Sequence, residues 1–104
     1  MENRNGPDPK DVASNVYKPL LENDRVRVFD VNFAPGAVAK MHWHPDHVAY
    51  SISGGKLELK TGDGSVNVME VPSKAAVFMD SQSHEAKNVG TSEIHMIVVE
   101  LLKK

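Results

Sequence analysis

The 104-residue sequence contains no cysteine. That absence excludes disulfides, thiolate metal sites and a cysteine nucleophile, and it leaves histidine and carboxylate as the metal-ligating side chains. No apolar run approaches the roughly 20 residues that would cross a bilayer as a helix. No basic block stands out either, since twelve Lys and Arg are set against fourteen Asp and Glu for a formal net charge of −2. A nucleic-acid footprint is therefore not expected, and neither is a membrane partner. The first residues, "MENRNGPDPKD", are polar, hold two prolines and lack the apolar core of a secretory signal. A cytoplasmic protein is the expectation, with residues 1–14 as a flexible N-terminal tail, or an arm ordered by a partner subunit, and residues 15–104 as one domain.

The rest of the chain reads as short strands and turns. "RVRVFDVNF" (25–33) alternates, with Arg27, Phe29, Val31 and Phe33 on one side. Further strand segments follow at 37–44, 47–53, 56–60, 66–71, 75–79, 84–89 and 93–102. "TGDGS" (61–65) is a hairpin signal, and Gly54-Gly55 marks another turn. The last segment is long enough for a helix, but its β-branched run Ile94, Ile97, Val98 and Val99 favours a strand. About eight or nine short strands at regular spacing predict an all-β sandwich or barrel.

Three of the five histidines fall within six positions, at His42, His44 and His47. On a strand, residues i and i+2 share a face, so His42 and His44 point one way and Trp43 the other. Pro45-Asp46 turns the chain, and a hairpin there brings His47 alongside. His84 opens a later strand. A lone His-x-His on a strand is more often a polar surface feature than a site. Clustering of this density inside an all-β domain, with Gly36 before it and Gly54 after it, argues instead for ligation of a metal ion.

At this point the sequence resembles a family. "GAVAKMHWHPDHVAYSISG" (36–54) looks like the first motif of the cupins, G(x)5HxH(x)3-4E(x)6G, with Gly36, His42, His44 and Gly54 on its glycines and histidines. His47 occupies the glutamate position. "KAAVFMDSQSHEAKN" (74–88) is similar to the second motif, G(x)5PxG(x)2H(x)3N, at His84 and Asn88. Met79-Asp80-Ser81 replaces its Pro-x-Gly, and its first glycine is missing. The resemblance implies a small jelly-roll β-barrel with a metal in its bore, held by His42, His44, His84 and His47, the last either a fourth donor or a support for the others.

Imidazole donors suit a divalent transition metal such as Fe, Ni, Zn, Cu or Mn, and they suit Mg and Ca poorly. Four neutral imidazoles leave an ion its full 2+ charge, whereas three histidines and a glutamate leave 1+. A small anionic organic ligand is therefore expected. By parity, Lys40 shares the face of His42 and His44, while Ala49 and Ser51 share that of His47. Lys40, Gln82 and His95 are candidates to support the ligands from behind. His95 alternates with Ile97, Val99 and Leu101 and is read first as a core histidine, and Asn88 as a hydrogen-bonding residue that pins a loop. Met41, Trp43, Val48, Tyr50 and Ile52 face away from the bore, an apolar face to be covered either by packing within the monomer or by a subunit interface, and a homodimer is expected. By analogy with cupin dioxygenases, the expected function is a metal-dependent enzyme of dioxygenase type. The alternatives are a metal-dependent isomerase or lyase and a non-enzymatic small-molecule-binding or regulatory cupin.

Overall fold

The computed structural model describes residues 5–102. A four-residue helix, α1 (Pro9–Val12), precedes nine strands: β1 (Tyr17–Glu22), β2 (Val26–Phe33), β3 (Val38–His44), β4 (His47–Ser53), β5 (Gly55–Thr61), β6 (Val66–Val71), β7 (Ala75–Met79), β8 (Gln82–Asn88) and β9 (Ile94–Leu101). The fold class is all-β. The strands form two antiparallel sheets, one in the order β1-β2-β9-β4-β7 and the other β3-β8-β5-β6. No ladder joins the two sheets among the described residues, so the expected barrel is an open, two-layer jelly roll.

The core lies between the sheets and follows from strand alternation. In β2, Arg27, Phe29, Val31 and Phe33 are buried while Val26, Val28, Asp30 and Asn32 are only half-buried. β9 runs between β2 and β4, and its inward set is Ile94, Met96, Val98 and Glu100. Ala39, Leu57 and Ala86 complete the apolar filling from the opposite sheet. The hairpin of β5 and β6 closes as "TGDGS" predicts, with Thr61 N donating to Ser65 O at 2.9 Å and Gly64 at φ +90°.

Two sequence expectations change here. Residues 5–13 are not a loose tail. Asp8 caps α1 by accepting from Lys10 N, Pro9 starts the helix, and Pro9 and Ala13 are buried. Trp43 N donates to Pro7 O at 2.8 Å, which lays the N-terminal segment along β3. Trp43 is thereby covered by its own chain, with Gly6 so close that a Cβ there would sit 2.8 Å from Trp43 Cβ. Residues 1–4 of the expected tail lie outside the described residues. Strand β1 was also missing from the sequence reading: only Tyr17 of "YKPLLE" is buried, so it shows no alternation to detect.

Candidate metal centre

His42 and His44 come from β3, His47 from the start of β4 and His84 from β8. His42 stands directly opposite His84 in the β3–β8 ladder. Ring centroids are 4.7 Å apart for His42–His44, 4.9 Å for His42–His84 and 5.2 Å for His44–His84. All three residues are buried, and one nitrogen from each lies within 4.8 Å of the others. His47 stands beside this triad, 4.5 Å from His44 and 6.5 Å from His84 between centroids, and is not part of the tight set.

Each ring is held by its Nδ1. His42 Nδ1 donates to Lys40 O (2.6 Å), His44 Nδ1 to Glu100 Oε2 (2.6 Å), His47 Nδ1 to Pro45 O (2.7 Å) and His84 Nδ1 to Gln82 Oε1 (2.9 Å). Carbonyl and carboxylate oxygens only accept, so Nδ1 carries the hydrogen. The Gln82 amide is oriented by its own Nε2, which donates to Asp80 O at 3.1 Å. The acceptor lone pair of each ring therefore sits on Nε2, the tautomer and outer hydrogen bonding typical of metal-bound histidine. The donor set fits a divalent transition metal.

Burial supports the neutral state. The pKa of His84 is pushed down to about 2, first by desolvation and then by the neighbouring His44, His42 and His47. His47 is also lowered by burial, which outweighs its bond to Pro45 O and the charges of Glu100 and Asp46. Tyr17 donates its hydroxyl to His44 Nε2 at 3.2 Å, and burial together with the Glu100 charge raises its pKa, so the phenol stays protonated.

The site adjoins a cavity of about 310 Å³ whose lining includes His47, His84 and Tyr17. The remaining wall is mostly apolar, including Phe33, Leu57, Met69 and Val98. Ala49 and Ser51, on the His47 face of β4, leave room in it.

No family model matches the sequence, and no curated protein does. Solved structures match over most of the chain. A cupin domain from Bordetella pertussis superposes with a TM-score of 0.77, at 20% identity, covering 99% of each chain. The fold is that of a small cupin-type domain. Two further similar structures are the cupin_2 domain of an XRE family transcriptional regulator from Enterobacter cloacae and a polyketide cyclase from Streptomyces resistomycificus. The first has 23% identity and a TM-score of 0.61, covering 86% of this chain and 96% of that one. The second has 19% identity and a TM-score of 0.63, covering 84% and 64%.

The other cupin-motif positions have definite structural places. Gly36 sits at φ +84°, in the left-handed region open to glycine. A Cβ on Gly54 would meet Val71 O at 1.8 Å, so that turn requires glycine. Asn88 Nδ2 donates to Phe33 O and Ser92 O, and its Oδ1 accepts from Gly90 N, which ties the β8–β9 loop to β2.

Two candidate supports are corrected. Ala39 pairs with Ala86 but His42 with His84, so β3 carries a bulge between them. The bulge reverses the parity before His42 and leaves Lys40 exposed, contributing its carbonyl in place of its amine. His95 lies on the outer face of β9, where Nε2 meets Asp30 Oδ1 at 2.6 Å, and it is neither a core residue nor a support for the triad.

Sequence reasoning missed Glu100, Arg27 and Tyr17 as site residues. Glu100 is fully buried and accepts from His44. Its one trace in the sequence is a carboxylate in phase with Ile94, Met96 and Val98, which form one of two apolar faces of β9.

Proposed function

We propose that this cupin is a metal-dependent enzyme of the dioxygenase type, acting on a small organic molecule with an apolar body and one anionic or ionisable oxygen. His42, His44 and His84 hold the ion, and His47 is a fourth nitrogen donor that closes on it from the cavity side. The observation that carries this reading is the set of Nδ1-pinned imidazoles beside a mostly apolar cavity. A bound divalent ion would supply Lewis acidity toward the substrate's oxygen and, if iron, a centre able to engage dioxygen. The cavity wall would hold the apolar body and exclude water, and the neutral Tyr17 hydroxyl would donate a hydrogen bond beside His44. That a polyketide cyclase shares the fold is in keeping with an organic substrate.

Residues of β6 and β7 line the cavity, and both are edge strands with exposed apolar side chains such as Val68 and Phe78. A homodimer would cover them, together with Tyr50 and Ile52 on the neighbouring strand.

A second reading is a small-molecule-binding or regulatory domain. It is favoured by the small number of acid–base groups in the cavity, where Glu70 is the only carboxylate among the lining residues. The Enterobacter regulator's cupin domain is in keeping with it. Iron(II)-loaded protein screened against enols and aromatic carboxylates in an oxygen electrode separates the two. Substrate-dependent oxygen uptake supports the enzyme. Ligand-induced shifts in thermal stability with no uptake or product support the binding domain.

A further inference from the structure

The four site histidines differ in one respect. Three direct Nδ1 at neutral oxygens, those of Lys40, Pro45 and Gln82, while His44 directs its own at a carboxylate, Glu100. Glu100 is also gripped by Arg27, whose Nε and Nη2 lie 3.1 and 2.9 Å from Oε1. Arg27 in turn donates through Nη1 to Asp8 Oδ2 at 2.9 Å. Strand register sets this up. Glu100 on β9 stands opposite Arg27 on β2 and opposite His47 on β4, so all three point between the sheets. Burial alone would weaken the charge on Arg27, but the hydrogen bonds and charges of Asp8 and Glu100 more than offset it.

We propose that Glu100 is a positioning residue for His44, held by Arg27 and, through it, by Asp8 of the N-terminal segment, and that it returns to the metal centre the negative charge lost where His47 replaces the motif glutamate. The Asp8–Arg27–Glu100 chain carries a net charge of −1. Four neutral imidazoles would leave a divalent ion at 2+. With this chain behind His44 the buried assembly sums to 1+, the same as three histidines and a ligating glutamate. A carboxylate accepting from Nδ1 also makes the opposite nitrogen a stronger donor. The N-terminal segment, packed outside the sheets, thus acts on the ion through three side chains.

The inference rests on the metal-site reading above, and one titration separates the two. Apo-protein is titrated with cobalt(II), read by its visible absorption, for wild type, E100Q, D8N and the double variant E100Q/Q82E. Wild type binds about one equivalent. E100Q, with an unchanged circular dichroism spectrum, binds roughly 10- to 100-fold more weakly. D8N keeps a competent helix cap and weakens binding in the same direction by a smaller factor. Placing a carboxylate behind His84 in E100Q/Q82E restores part of the loss, which a purely structural role for Glu100 would not permit. Wild-type affinity in E100Q overturns the inference while leaving the metal site standing. Absence of cobalt binding in wild type overturns both. If E100Q does not fold, D8N decides, and wild-type affinity in D8N overturns the chain.

Discussion

His42 and His84 face each other across the β3–β8 ladder as direct Cα partners, with ring centroids 4.9 Å apart. They lie 42 positions apart in sequence, and only antiparallel pairing in that register makes them neighbours. Two buried imidazoles at this distance repel one another's protons. The same closeness suits them to share a cation.

The acid sensitivity of the apo-protein follows from the burial of His84 first and from that repulsion second. In the unfolded chain His84 titrates near 6.5, and in the fold its pKa is about 2. Between those values the unfolded state binds the extra proton, so stability is full above about pH 6.5 and falls as pH drops. One such histidine removes about 2 kcal/mol between pH 7.5 and pH 5. Urea unfolding at the two pH values measures it, and H84A reduces the loss by about that amount. An H84A profile parallel to wild type would show that His84 is not held neutral.

Cavity and metal are separable by mutation. Ala49 is buried on β4 and lines the cavity two residues from His47, and it is none of the Nδ1 partners of the triad. A49F fills part of the cavity space. Its metal content by elemental analysis stays at the wild-type level, while ligand-induced thermal shifts disappear. Ligand binding undiminished in A49F would place the ligand elsewhere.

Asn88 serves the fold. N88A removes three hydrogen bonds around a fully buried amide and leaves the carbonyls of Phe33 and Ser92 and the amide of Gly90 without it. The expected cost is about 2–4 kcal/mol in urea unfolding. A loss below about 0.5 kcal/mol would mean that water replaces the side chain at no penalty.

Much of this architecture is legible from alternation. Arg27, Phe29, Val31 and Phe33 share the buried face of β2 as their spacing demands, and His42, His44 and His84 converge because strand parity and the β3–β8 pairing agree. Where parity failed, the reasons are local. The bulge after Ala39 turns Lys40 outward, and no residue of "AVAKMHWH" announces it. β9 lies inside its sheet and is apolar on both faces, so alternation alone did not say whether His95 or Glu100 looks inward. The buried charge of Glu100 is tolerable because Arg27 lies across the sheet, a pairing that appears only once β2 and β9 are neighbours. The docking of residues 5–13 rests on Pro7, Asp8 and Pro9, types that read as loop until Trp43 and Arg27 are in place to receive them.

The central claim is that His42, His44 and His84 bind one transition-metal ion. Elemental analysis of untagged protein prepared without chelator, beside H84A and H47A, tests it most directly. The account predicts about one divalent transition-metal ion per chain in wild type, almost none in H84A, and retained but more easily stripped metal in H47A. A metal-free wild type that stays so after reconstitution, or equal loading in H84A, would contradict it.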